Sequence, residues 1–216
     1  MGSYIDWSKT TKSSNYRGSN SFSTFMIIGP TCFFLGILFA SFPYDFPLLW
    51  SKEPVPASYY DQIETHLKFI HQSPPLIGRM LNIIVSVGFL GLFIKLFKPS
   101  EANFLFDGAS LILYTIGVAV YITNIVKGLR TMSSGYFDSD EFKNAKSRFE
   151  GEIILGREDS LRVLSASNTI LALVLIGVLV LQAGQWYAEK RDVDDEAASA
   201  AKKDAPTGKA ATKKKQ

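Results

Sequence analysis

Four long runs of apolar residues, separated by polar segments, dominate the pattern of the chain. Each run has about 20 residues, the length that an α-helix needs to cross a hydrocarbon core of roughly 30 Å. The runs cover residues 22–42, 76–97, 104–126 and 163–186. The sequence therefore predicts an all-α, polytopic membrane protein with four transmembrane helices over 22–186. A leader over 1–21 precedes them, and a charged tail over 187–216 follows them.

The first run contains no charged residue. It is longer than the apolar part of a signal peptide, and no small-x-small cleavage site follows it. We therefore expect it to stay in the membrane as a signal anchor. Pro30 lies inside this run and removes one backbone hydrogen bond, so we expect it to kink or break the first helix.

The distribution of charge among the connections predicts the orientation, because the cytosolic side is richer in Lys and Arg. The leader has a net charge of +2, the loop 43–75 has −2, and the second connection with Lys95 at its edge has +1. All three favour a cytosolic N-terminus, and an even number of spans returns the C-terminus to the cytosol. The loop 127–162 has seven basic and seven acidic residues, which runs against its expected luminal side.

Two further segments outside the spans have readable patterns. A capping-box pattern begins at Ser58, and apolar residues recur at helical spacing until Pro74 and Pro75. This pattern predicts a short amphipathic helix that either lies on the luminal membrane face or packs over the ends of the bundle. The tail has no large apolar residue after Val193. Such a composition cannot bury enough surface to order itself, so we expect a flexible cytosolic tail.

The sequence contains no pattern that is typical of an enzyme, a cofactor site or a metal site. His66 and His71 are five residues apart and do not share a helix face, and no carboxylate recurs with them in a ligand pattern. Cys32 is the one cysteine, so a single chain cannot build a thiolate metal site. A P-loop and a dinucleotide fingerprint are both missing. We predict no catalytic residue, no cofactor and no metal.

Charged residues within the spans usually mark a functional pathway, because burying a charge in lipid costs at least ~2.5 kcal/mol near a helix centre. Lys95 and Asp107 lie on either side of a short hairpin at similar depth, so we predict that they face each other at the cytosolic rim. Arg79 lies at the luminal end of span two and cannot reach Asp107. Asn82 and Asn124 are uncharged polar residues that either pack inside the bundle or face a client helix.

Small residues in the spans leave the same two alternatives open, since helices in lipid approach closely at small side chains. They are Gly36, Ala40, Gly88, Gly91, Gly108 and Gly117. The chain ends in Lys213-Lys214-Lys215-Gln216. Lys213 and Lys214 stand at the fourth and third positions from the C-terminus, which matches the cytosolic dilysine signal that retrieves membrane proteins to the endoplasmic reticulum. A lysine-rich tail also produces this pattern by chance.

Three extended segments resemble one known family. The first runs from Thr24 to Trp50 and contains Gly29-Pro30-Thr31-Cys32 and Phe42-Pro43-Tyr44-Asp45-Phe46-Pro47. The second runs from Phe97 to Leu111, and the third from Gly156 to Tyr187. Together they resemble the fungal endoplasmic-reticulum membrane chaperones that are dedicated to amino-acid permeases.

This resemblance implies a multi-pass protein of the endoplasmic reticulum membrane that is not an enzyme. It would shield the spans of newly made amino-acid permeases in the lipid bilayer. Its cytosolic tail would help to present them to the vesicle coat, and nucleic acid is not among the implied partners. The tail matches no family motif. Two alternatives remain: a small transporter or channel, suggested by Arg79 and Asp107, and a tetraspan scaffold for partner proteins.

Overall fold

The computed structural model describes residues 17–97, 101–138 and 156–204, and all of its regular structure there is helical. The helices are α1 (Arg17–Trp50), α2 (Ala57–His71), α3 (Pro75–Leu96), α4 (Glu101–Val120), α5 (Lys127–Ser133) and α6 (Arg157–Asp204). A π-helical segment (Tyr121–Val126) joins α4 to α5, and a 3-10 turn (Tyr136–Asp138) follows α5. Four stretches are long and apolar enough to span a membrane: Phe22–Trp50, Pro75–Leu96, Phe104–Ser133 and Arg157–Ser199. The predicted all-α fold with four transmembrane helices is confirmed, whereas the orientation of its termini remains a prediction.

The four long helices form a bundle in which each packs against two others. α1 contacts α3 and α6, and α4 contacts the same two helices. Ile27, Leu92, Tyr114, Leu175 and Val178 are buried at the centre of the bundle. The outward faces carry many large apolar side chains. This distribution is the one that a bundle surrounded by lipid requires, because the hydrocarbon leaves no need for a polar exterior.

Helix α1 is longer than the sequence predicts and is not broken at its prolines. It continues through Pro30, Pro43 and Pro47 as far as Trp50. Transmembrane helices tolerate proline because neighbouring groups satisfy the freed backbone atoms. The Thr31 hydroxyl donates to the carbonyl of Ile27 at 2.7 Å, next to Pro30. Pro30 therefore does not break the first helix. The segment from residue 43 to Trp50, which the sequence assigns to a loop, is also helical.

Helix α2 confirms the amphipathic helix that the sequence predicts between the first two spans. Its predicted capping box is wrong: the residue before the helix is Pro56, and no side chain caps the first turn. Tyr60 and Ile63 are buried in a small cluster with Leu48, Met132 and Leu161. The buried face of α2 therefore packs over the end of the bundle, the second of the two alternatives.

Helix α6 continues well beyond the end of the predicted fourth span at 186. Trp186 and Tyr187 are exposed, as aromatic side chains commonly are at a membrane surface, and the Lys190 ammonium lies 5.3 Å from the Trp186 ring centre. The helix then runs to Asp204. Residues 187–204 are thus helical, because Ala, Glu and Lys favour helix even where no apolar face can be buried. The flexibility of the tail and its cytosolic side remain predictions. The retrieval signal at Lys213 and Lys214 lies outside the described residues.

Candidate functional site

A buried ion pair joins α3 to α4 at one end of the bundle. Lys95 lies in the last turn of α3, and its ammonium nitrogen is 3.1 Å from Oδ1 of Asp107 in α4. Both residues are buried, and the Asp107 side chain is fully inaccessible. The pairing that the sequence predicts for these two residues is confirmed. Its place at the cytosolic rim remains a prediction.

Two glutamines of α6 complete this site. The Lys95 ammonium donates to Oε1 of Gln182 and to Oε1 of Gln185, both at 2.8 Å. Gln182 donates from Nε2 to Oδ1 of Asp107 at 2.9 Å, and Gln185 donates from Nε2 to Oδ2 of the same carboxylate at 2.9 Å. Their second amide hydrogens go to Ser110 Oγ at 3.1 Å and to Glu189 Oε1 at 3.2 Å. We call Lys95, Asp107, Ser110, Gln182 and Gln185 the polar network.

The polar network satisfies the donors and acceptors that it brings into the bundle. An ammonium group has three hydrogens, and Lys95 uses all three on Asp107, Gln182 and Gln185. Both carboxylate oxygens of Asp107 accept from a glutamine. A buried charge pair of this kind is tolerated only when such additional hydrogen bonds are made. The network therefore links α3, α4 and α6 and leaves neither charge open to a passing ion or proton.

The charged residues of the polar network were predicted from the sequence, whereas its glutamines were not. Gln182 and Gln185 are uncharged and stand three residues apart near the end of a long apolar run, so they were not selected. Two clues could have identified them. Residues three apart share a helix face, and both lie close to the end of span four that adjoins the hairpin with Lys95 and Asp107.

The other polar residues selected from the sequence lie elsewhere. Asn124 lies in the π-helical segment and donates from Nδ2 to Ser167 Oγ of α6 at 3.1 Å. Arg79 is exposed near the start of α3, and Asn82 is exposed one turn further along the same helix. Pro30 is buried within α1. Lys95 and Asp107 are thus brought together, whereas Arg79, Asn82 and Asn124 do not join them.

A second set of polar contacts lies at the opposite end of the bundle. Asp45 of α1 is buried and accepts from Asn168 Nδ2 of α6 at 2.9 Å. The Tyr59 hydroxyl of α2 donates to the carbonyl of Tyr44 at 3.0 Å. Burial, and to a smaller extent the charge of Asp45, raise the pKa of Tyr59 above its ordinary value. The Tyr59 hydrogen bond attaches α2 to α1, whereas the Asp45 hydrogen bond joins α1 to α6.

Charged contacts at this end also join α2 to the start of α6. Arg157 contacts Asp61, and its Nε is 3.2 Å from Oε2 of Glu64. Arg162 donates to the Tyr60 hydroxyl at 3.0 Å. The side chains of Arg157 and Asp61 are partly exposed, so the pair itself stabilises α2 by less than about 1 kcal/mol. The buried apolar face of α2 accounts for most of the attachment.

The described residues include no group of three or more His, Cys, Asp or Glu side chains that could hold a metal ion. His66 stacks on Tyr44 with ring centres 4.3 Å apart and has no such ligand group around it. Fold and site together define a class: a small polytopic helical membrane protein in which Lys95 and Asp107 hold helices together.

Comparison with known proteins identifies the family. Residues 18–216 match the SHR3 chaperone family, described as ER membrane protein SH3, and the chain belongs to this family. It is also similar to the secretory component protein psh3 of Schizosaccharomyces pombe, with 22% identity over 171 residues that cover 79% of this chain and 72% of that protein. No solved structure matches.

Family membership confirms several predictions from the sequence. The chain is a multi-pass membrane protein of the endoplasmic reticulum, and it is a chaperone that serves the packaging of amino-acid permeases into vesicles leaving that compartment. The family is non-enzymatic. Its clients are amino-acid permeases. The transporter and scaffold alternatives are therefore set aside.

Proposed function

We propose that the membrane bundle holds individual helices of a newly inserted permease at its lipid-facing surface until the client's own helices replace it. The observation that carries this mechanism is the closed polar network: Lys95 and Asp107 satisfy each other inside the bundle. Apart from charged residues near the helix ends, such as Arg79, the lipid-facing surface carries apolar and weakly polar side chains. Contacts between such surfaces in lipid rest on close packing and single hydrogen bonds of about 1 kcal/mol, which a folding client can displace.

The long helix α6 suggests how client binding and coat binding are divided along the chain. We propose that the bundle binds the client and that the charged segment after Tyr187 contacts the vesicle coat from the cytosol. The helix carries this segment as far as Asp204, beyond the aromatic pair Trp186 and Tyr187. The retrieval role of Lys213 and Lys214 remains part of this proposal.

Crosslinking during permease synthesis tests the proposal. Tagged full-length chain is crosslinked in membranes while a permease is being made, and the captured proteins are identified. We expect newly made amino-acid permeases as the dominant partners, and an unrelated polytopic cargo serves as the control. A chain that ends at Asp192 should still capture permeases but should recover less coat protein.

Two results would contradict the proposal. Capture of the unrelated cargo as efficiently as permeases would remove the client specificity. Unchanged recovery of coat protein with the chain that ends at Asp192 would remove the role of the tail, and would leave the client-binding role of the bundle intact.

A further inference from the structure

One amide side chain in the four spans makes no hydrogen bond to another helix within the described residues, and this difference points to a client surface. The spans contain five amides, at Asn82, Asn124, Asn168, Gln182 and Gln185. Four are hydrogen-bonded to other helices: Asn124 to Ser167, Asn168 to Asp45, and both glutamines to the polar network. Asn82 is exposed and makes no side-chain hydrogen bond within the described parts of the chain.

Hydroxyl groups on lipid-facing positions, unlike the Asn82 amide, make hydrogen bonds within their own helix. Ser86 donates to the backbone carbonyl of Asn82 at 2.9 Å, and Thr115 donates to that of Leu111 at 2.8 Å. Serine and threonine can satisfy themselves within their own helix in this way. An asparagine amide has two donor hydrogens and one acceptor oxygen, and the Asn82 amide makes none of these bonds in the described chain.

Asn82 lies in a mainly apolar part of the span, three residues beyond the exposed Arg79 near the start of α3. It lies on the outer face of α3 in a shallow hollow of ≈ 280 Å³ that is lined by Asn82, Ile83, Ser86, Val87 and Leu90. Asn82 is seven residues after Pro75, about 10 Å along the helix axis at about 1.5 Å a residue, and therefore inside the span. Lipid tails offer no hydrogen-bond partner, so an amide at this depth is costly until another polar group meets it.

We propose that this face of α3 binds a transmembrane helix of the client permease, with a polar client side chain hydrogen-bonded to the Asn82 amide. The inference rests on the proposed function and names the surface that carries it out. The hydrogen-bonding requirement sets the chemistry of the partner: a membrane helix with a hydroxyl, amide or backbone carbonyl exposed at the same depth. Helices of a polytopic protein expose such groups before their own partners have inserted.

The hollow favours a transient client over a second copy of this chain. It offers one amide among apolar side chains, and a single interhelical hydrogen bond in lipid gives a weak contact. All of its lining residues belong to α3, so the face is a strip along one helix and suits one partner helix. A strip of this size, with one amide and one hydroxyl that is bonded within its own helix, fits repeated binding and release.

Site-specific photocrosslinking in the full chain tests this surface. A photoreactive residue replaces Ile83 or Leu90 beside Asn82, or, as matched controls, Ile112 of α4 or Leu173 of α6. All four side chains are large, apolar and exposed. We expect crosslinks to newly made permease from Ile83 and Leu90 at several times the yield from Ile112 and Leu173. Crosslinks from Ile83 to a second copy of this chain, or to lipid alone, would overturn the inference.

Substitution of Asn82 gives the second measurement. Asn82→Leu should lower permease capture about fivefold, the effect of one lost interhelical hydrogen bond, whereas Asn82→Gln keeps an amide and should retain most of the capture. Thermal unfolding of the purified chain should be unchanged in both variants, because the Asn82 side chain makes no hydrogen bond within the described residues and both variants keep the backbone carbonyl that accepts from Ser86. Equal capture by Asn82→Leu and the parent chain would contradict the inference and leave the proposed function standing. Failure of the parent chain to capture permeases at all would instead contradict the proposed function.

Discussion

At the scale of single residues, the ion pair between Lys95 and Asp107 depends on neighbours that carry no charge. Desolvating two charges costs several kcal/mol for each ion, and their attraction offsets this cost only when the remaining hydrogen-bonding groups are also satisfied. Gln182 and Gln185 supply these groups from α6. The four side chains therefore act as one unit, and the effect of changing one depends on whether its partners remain.

This dependence leads to a prediction about single and double substitutions. Asp107→Leu alone leaves the Lys95 ammonium buried without its counter-charge and should lower the free energy of unfolding by about 3–5 kcal/mol. The double variant Lys95→Met with Asp107→Leu removes both charges and should recover part of that loss, because Gln182 and Gln185 then lose their partners among the charges. Unfolding of the purified chain in mixed micelles, followed by circular dichroism, measures both effects. A double variant as unstable as Asp107→Leu would contradict the paired role.

At the scale of helices, glycines determine how closely the spans approach each other. The structure separates the glycines that pack against another helix from those that do not, a distinction that the sequence left open. A Cβ added at Gly91 of α3 would lie 2.9 Å from the Ser23 carbonyl oxygen of α1. At Gly88 it would clash with the Tyr114 ring of α4. At Gly36 and Gly108 it would meet nothing within 4 Å. Gly88 and Gly91 therefore belong to packing within the bundle, whereas Gly36 and Gly108 do not.

Alanine substitution should separate these two groups of glycines. Gly91→Ala places a methyl group against the α1 backbone, which cannot move aside as a side chain can, so we expect a loss of about 1–3 kcal/mol in the free energy of unfolding. Gly36→Ala in the exposed part of α1 is the matched control and should be neutral or slightly stabilising, because alanine favours helix over glycine. The same micelle unfolding assay applies. Equal stability of the two variants would show that α1 and α3 do not pack through Gly91.

The boundaries of the helices show which features the sequence could predict. The four spans were predictable because an uncharged run of about 20 residues has few alternatives to a membrane helix. The end of α1 was not, because Pro43 and Pro47 usually mark a helix end, and the contacts that hold the last turns come from distant residues. Asn168 bonds to Asp45, and Leu48 packs with residues of α2 and α6.

The candidate site was predictable to a similar extent. Lys95 and Asp107 could be paired from sequence because a short hairpin fixes their relative depth. Gln182 and Gln185 lie in α6, far along the chain, and nothing local reveals which face of a long apolar helix meets that hairpin. That the Asn82 side chain has no hydrogen-bond partner among the described residues likewise depends on the whole arrangement, since Asn124 looks the same in sequence and is paired with Ser167.

At the scale of the whole molecule, the structure changes how the charges should be counted for orientation. Lys95 is buried in the polar network and is not a free loop charge. Asp45 lies inside α1 and is likewise removed from the first loop. Arg157, one of the basic residues that oppose a luminal third loop, contacts Asp61 and Glu64 of α2. The contact removes one basic charge from the third loop, but it also uses two of the acidic residues that made the first loop negative. The recount therefore weakens the charge differences on both sides, and the orientation remains a prediction.

Cysteine labelling in sealed microsomes tests the prediction that both termini are cytosolic. Cys32→Ser removes the one cysteine, and Ser51→Cys between α1 and α2 or Ser199→Cys in α6 then adds a single exposed thiol without changing any charge. A membrane-impermeant maleimide should label Ser199→Cys directly and Ser51→Cys only after the membrane is permeabilised, because an odd number of spans separates the two positions. The reverse pattern would place the tail in the lumen, where it could not contact a cytosolic coat, and labelling of both in sealed vesicles would contradict the four-span arrangement itself.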